Sequence, residues 1–387
     1  MSKFKKIITI LLMFSLIFII SCSSIFKNIA IQSTTEIIND GFNSFMTEED
    51  INLAHEAMAS NLKLLETLLQ SDPENEKLLL MLCKAYCGYT FGFVEDPKNP
   101  DPELAELSIN RAKKLYIRGR DYGLKILKNK NPEFKKIING GFKITEDTLN
   151  NLKEEGFDEN ILKPLIKFKD KEFETKKEFE YILDEFKFSI EQKDAILRNS
   201  RINYSYDEFE KSVKNFNKEN VPALFWTAYN WGNFINLSKD DPESIADLGR
   251  VEIMMKRVME LDEKYYYGGV FLFYVVYYAG RPTMLGGNPE KAEEYYKKCK
   301  QINEGKFLML DVMFAQYYAT QTNNKQLYLD LLNKVIETPS DILPEEILTN
   351  EIAKHKAKNL IKIADEIFVG EETPSEENNP ENTNLNN

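Results

Sequence analysis

Residues 62–74 read LKLLETLLQSDPE, an apolar run at helical spacing that passes into Asp, Pro and Glu with no intervening loop. The closing triplet returns as Asp101-Pro102-Glu103, Asn131-Pro132-Glu133, Asp241-Pro242-Glu243 and Asn288-Pro289-Glu290. Asp or Asn accepts from the open backbone N–H groups of a helix, Pro fits the first helical position, and Glu meets the positive end of the dipole. All five triplets are therefore expected to begin helices, most of them directly after another has ended. Hairpins joined this tightly stack side by side, so the expected fold is all-α, an α-solenoid of tetratricopeptide-like helical hairpins. Such a stack presents a surface or a hole rather than a two-domain enzyme cleft.

The ends read differently. Lys3, Lys5 and Lys6 form a basic head, and residues 7–20 are uncharged and apolar but shorter than the ~20 residues of a comfortable membrane span. Residues 1–21 thus read as an export signal. Ile19-Ile20-Ser21-Cys22 resembles a bacterial lipobox, which implies cleavage before Cys22 and acylation of its thiol and new amino group. Two or three acyl chains hold a protein on a membrane far more firmly than one. Ser23, rather than Asp, after Cys22 points to the outer membrane in a cell that has two. Residues 22–46 read as a linker, 47–369 as one helical-repeat domain, and 370–387, with one aliphatic residue and no base, as a disordered acidic tail.

The formal charge is -12, and removing the three signal lysines makes it -15. An acidic exported chain with no basic cluster is a poor partner for nucleic acid. Of the cysteines left after Cys22, Cys83 and Cys87 lie four apart on one helix face, where a disulfide is awkward and buried thiols are expected; no spacing suggests zinc or another metal.

Along the main domain, Thr47-Glu48-Glu49-Asp50 reads as a cap before a helix carrying Ile51, Ala54, Met58, Leu62, Leu65 and Leu69. Helices are expected at 74–94 and 103–128. The second has a stripe of Leu104, Leu107, Ala112, Leu115, Tyr122, Ile126 and Leu127, broken by Gly119 and Gly123. Glycine costs about 1 kcal/mol in a helix interior, so a pair four apart signals close approach by a neighbour. Residues 133–220 lose the pattern and read as a variable insertion folding as small helices over the stack. Regularity returns with helices expected at 223–237, 243–260, 266–279, 290–301, 306–320, 325–336 and 345–368.

Catalytic patterns are not found: no nucleophile elbow, zinc, Walker or dinucleotide motif occurs, and His55 and His355 lie far apart in sequence amid helical residues. No cofactor is implied. A facing pair of carboxylates, and with it a lipid-anchored hydrolase, stays open because only a fold reveals one. Aromatics are the concentrated signal. Phe225, Trp226, Tyr229, Trp231 and Phe234 crowd one helix; Tyr265, Tyr266, Tyr267, Phe271, Phe273, Tyr274, Tyr277 and Tyr278 crowd another. Such helices are buried on most sides, and their hydroxyls need partners, which suits either a core or a ligand-lined cavity. After the second helix comes AGRPTMLGGNPEKAEEYY, in which Arg281 either clamps a carboxylate or braces the loop containing Leu285, Gly286 and Gly287.

The runs RAKKLYIRGRDYGLKIL (111–127), VPALFWTAYNWGNFI (221–235), ELDEKYYYGG through RPTMLGGNPEKAEEYYKKC (260–299) and FAQYYATQTNNKQLYLDLLNKVIETP (314–339) resemble the T component of tripartite ATP-independent periplasmic (TRAP) transporters, the TatT family of lipoproteins. The resemblance implies a helical solenoid with a central pore, self-association with a trimer as one form, and docking to the periplasmic solute-binding P subunit. It implies that the protein holds or passes a small organic or hydrophobic ligand, without being the pump. Carried onto this chain, the channel wall would include Arg118, Tyr122, Trp226, Tyr229, Trp231, Tyr266, Tyr277 and Arg281. The alternative is a generic tetratricopeptide-type scaffold lipoprotein for other envelope proteins.

Overall fold

The computed structural model describes residues 31–368 apart from 32, 43, 98 and 100. The expected signal, Cys22 and the tail from 370 lie outside the described residues, and the expected linker contains helical backbone over 33–42. The described chain is mostly helical and falls into two compact units, one over 31–42 and 52–265, the other over 43–51 and 266–368.

In the first unit α1 (Ile51–Ser71) buries Ala54, Met58, Leu62, Leu65 and Leu69, the face its spacing predicts. α2 (Glu76–Tyr89) runs into a π-helical turn over Thr90–Val94. Glu76–Val94 is long and apolar enough to cross a membrane, yet it is mostly buried, packed against α3 (Pro102–Lys130). α4 (Pro132–Asn139) follows at once. Four of the five Asx-Pro-Glu triplets cap helices: Asp101, Asn131, Asp241 and Asn288 each accept a first-turn backbone N–H. The first triplet does not. Asn75 N bonds back to Asp72 O at 3.1 Å in a turn, and the Asn75 side chain caps α2 through Leu78 N, because a second Asx residue lay closer to the apolar run. Thr47 is likewise turned away, its hydroxyl donating to Ser44 O. Leu104 and Leu107, expected in the buried stripe, are instead 52% and 58% exposed.

The stretch after α4 corrects the expectation of helices alone. β1 (Gly141–Lys143), α5 (Glu146–Glu154), α6 (Glu159–Ile166), β2 (Glu172–Phe173), α7 (Lys176–Asp184), α8 (Ile190–Ser200) and β3 (Arg201–Ile202) surround their own core of Leu152, Leu165, Phe173, Phe179, Leu183 and Ile196. β1 is the central strand, antiparallel to both neighbours, with Phe142 opposite Phe173 and Gly141 opposite Ile202. Strands of two or three residues are too short to show a period of two. Each is followed within three residues by a Thr or Ser that caps the next helix: Thr145, Thr175 and Ser205. Ser205 opens α9 (Tyr206–Lys214), which packs against α4 and so closes the excursion where it began.

α10 (Val221–Asn236) then packs on α2 and α3, and α11 (Pro242–Ala246) and α12 (Leu248–Asp262) replace the single helix expected there. The glycine pair explains how closely α3 meets α10. A Cβ on Gly119 would lie 2.4 Å from Asn230 Oδ1, and one on Gly123 would lie 2.0 Å from Thr227 Oγ1 and 2.8 Å from Cys83 Sγ. Cys83, Cys87 and Cys299 are buried free thiols.

The second unit is built on α13 (Tyr265–Ala279), which is not the continuous helix expected. Tyr266, Tyr267 and Gly268 have φ of 47°, 58° and 78°, so the regular helix starts after them. The carbonyls of Tyr267 and Gly268 are drawn out of the ladder by Cys299 Sγ, and Asn303 Nδ2 also donates to Tyr267 O at 3.3 Å. Residues 266 and 267 therefore fall out of phase with the aromatic stripes below them. α14 (Pro289–Ile302), α15 (Met309–Met313), a π-helical turn over Phe314–Ala319, α16 (Lys325–Glu337), α17 (Ile347–Lys362) and α18 (Ala364–Ile367) complete the unit.

Candidate functional site

α1, α2 and α3 bring five polar groups together in the first unit. The hydroxyls of Tyr86 and Tyr122 both donate to Glu66 Oε1, at 2.6 and 3.0 Å, and Arg118 NH1 donates to the Tyr86 oxygen at 3.1 Å. Lys63 holds the other oxygen, Oε2, at 2.5 Å. The two tyrosine rings stack with centroids 5.9 Å apart. Burial alone would raise the Glu66 carboxyl; the hydrogen bonds from Lys63, Tyr86 and Tyr122 outweigh it and hold the group below its ordinary value. Burial, with Glu66 beside it, pushes the Tyr86 hydroxyl up to about 12. The cluster is thus a carboxylate fixed as an anion among donors that stay protonated. Arg118 keeps about half of its side chain exposed, and Lys63 more than half.

On α10, Trp226 Nε1 donates to Tyr265 OH at 3.1 Å, and Phe225 and Tyr229 pack around the pair. Trp231 does not join them. It lies five residues on, about 140° around the helix, under the Arg120 guanidinium at 5.3 Å and beside Asp247, whose carboxyl burial raises. The five expected wall residues of this unit therefore form three neighbourhoods: Arg118 with Tyr122, Trp226 with Tyr229, and Trp231 alone.

In the second unit Tyr266 packs against Tyr267 and Phe307, and its hydroxyl reaches Glu346 at 3.4 Å. Arg281 lies flat on Tyr277, 3.8 Å from the ring centre, while Tyr274, Tyr278 and Tyr295 stack next to Tyr277. Leu285 is exposed, Gly286 is left-handed with φ 88°, and Gly287 is buried against the Arg281 carbonyl.

Sequence reading missed a further buried carboxylate. Asp311, 3% exposed, accepts from Tyr296 OH at 2.7 Å, from Lys300 at 3.2 Å and from Lys334 at 3.0 Å, next to the π-helical turn. Burial pulls the Lys300 ammonium down against the opposing pull of Asp311. Asp311 stands in an apolar run, so its buried position was visible, but its partners come from α14 and α16 and no spacing announces them. Most buried tyrosine hydroxyls find similar partners: Tyr116 donates to Glu95 and Tyr328 to Leu360 O. Among the described residues no group of three or more metal-ligating side chains gathers. Two surface pockets, of about 130 Å³ beside Leu149 and Leu162 and about 200 Å³ beside Tyr204 and Arg250, include none of the expected wall residues.

A family described as TRAP transporter T-component matches residues 47–158 and 182–368. This chain belongs to that family. The unmatched residues, 159–181, run from α6 into α7 inside the subdomain with its own core, and every expected wall residue lies within the matched segments. An uncharacterized protein of Treponema pallidum (strain Nichols) is similar to this T component, 19% identical over 329 residues that cover 84% of this chain and 82% of the relative. A T component belongs to a transport system of the cell envelope.

Proposed function

We propose that this T component is a membrane-anchored periplasmic lipoprotein, tethered through Cys22, that binds or passes a small organic ligand and docks the solute-binding P subunit of its transporter. Membership of the family is the observation that carries the reading. The chemistry of the clusters supports it: fixed charges are set among aromatic faces, an arrangement that orients small organic molecules through a few polar groups on an apolar wall. The hairpins are proposed to stack as a solenoid around a lined passage, with self-association as the assembled form. Native mass spectrometry of the mature chain with its co-encoded solute-binding protein tests the docking. A complex at micromolar concentration is expected; free components at tens of micromolar would count against it.

A further inference from the structure

Arg281 closes α13 and opens the loop over residues 282–287. Its guanidinium is held on one face by the Tyr277 ring, 3.8 Å away, and at one nitrogen, where Nε donates to Tyr277 O at 3.0 Å. Its own carbonyl is gripped by Gln321 Nε2 at 2.6 Å. None of these contacts uses the two terminal nitrogens. Among the described residues Arg281 forms no ion pair, and its one guanidinium hydrogen bond is the one from Nε.

The loop is braced by other means. Leu285 N and Gly287 N donate to Pro282 O, Gly286 N to Thr283 O, and Asn288 N to Tyr278 O, all between 2.9 and 3.1 Å. Gly287 lets the chain close over Arg281, since a Cβ there would lie 1.9 Å from the Arg281 oxygen. Gly286 leaves the approach to the guanidinium open; a Cβ there would start 3.7 Å from NH1. Of the two roles open to Arg281, bracing is carried by the backbone, and the fork is left over.

We propose that Arg281 is a carboxylate-binding residue, its terminal N–H groups taking the two oxygens in parallel. The Tyr277 ring and the exposed Met284 and Leu285 of the same loop, 89% and 65% accessible, offer apolar surface to the remainder of the ligand. A single guanidinium in a chain of net charge -12 suits a singly charged carboxylate better than a dianionic phosphate. The carboxylate comes from a free organic acid or from an acidic side chain of a docked protein. The assignment stands independently of docking to a solute-binding subunit.

Phenylglyoxal labelling of the full chain, read by peptide mass spectrometry, tests it. Arg257, whose Nε, NH1 and NH2 bond to Phe216 O, Glu260 and Lys214 O, is the internal reference. Arg281 is expected to react about tenfold faster than Arg257, and sodium benzoate, but not benzamide, to slow it by about threefold or more. Slowing by benzoate assigns a free acid; slowing by a glutamate-rich peptide alone assigns a protein side chain. If neither slows Arg281, or if benzamide slows it equally, the proposal is overturned. In a second readout, saturation-transfer NMR signals of benzoate should weaken in Arg281→Lys and vanish in Arg281→Gln.

Discussion

Gly123 leaves no room for a methyl group, because Thr227 Oγ1 and Cys83 Sγ occupy the space a Cβ would need. In an exposed helix Gly→Ala gains roughly 1 kcal/mol; here overpacking should reverse the sign and cost about 1–3 kcal/mol. Thermal unfolding of Gly123→Ala is expected to show a lower midpoint, partly restored when Thr227→Ala is added, and a raised midpoint would contradict the packing argument. Glu66 carries a pH signature. Its folded pKa lies below the ordinary 4.5, so its contribution is present above that value and is lost as pH falls through the folded pKa. Glu66→Gln should destabilise by about 1–2 kcal/mol near neutrality, with the gap to the parent closing as pH falls below the ordinary carboxyl value and through the lowered folded one. A gap that stays constant or widens on acidification would refute the charged role.

The subdomain between α4 and α9 has its own core, and its entry and exit strands are neighbours, Gly141 lying opposite Ile202. Replacing residues 141–202 by a short Gly-Ser connection should therefore keep α4 on α9 and leave the remaining chain cooperatively folded, as read by circular dichroism and thermal melting. Loss of a cooperative transition would show that the subdomain is integral to the fold. Element by element, helices with strong periodicity and an Asx-Pro-Glu start were legible: α3, α14 and the buried face of α1 lie where the residues place them. What escaped was set by partners distant in sequence. The left-handed turn at 266–268 depends on Cys299 and Asn303, the cap of α2 on a choice between two Asx residues, and the sheet on pairings between residues some thirty and some sixty apart. The same limit governs the sites. Arg118 and Tyr122 were legible as a pair one helical turn apart, but Glu66 and Tyr86, which complete their network, come from other helices.

For the whole molecule, the family assignment gives the chain its place in a transport system, and the clusters give that place a chemistry. Glu66, Asp311 and Arg281 show three ways to hold charge near aromatic surface: a carboxylate enclosed by donors, a carboxylate shared by two lysines, and a guanidinium held on a ring. The account turns on whether this T component, at the membrane, carries a solute-binding subunit. The deciding measurement is affinity isolation of the tagged chain from detergent-solubilised membranes, with the co-purifying proteins quantified by mass spectrometry. Recovery from the membrane fraction with the co-encoded solute-binding subunit at near-equal amounts is the expected result. Recovery without that subunit, while it is abundant in the starting lysate, would contradict the account.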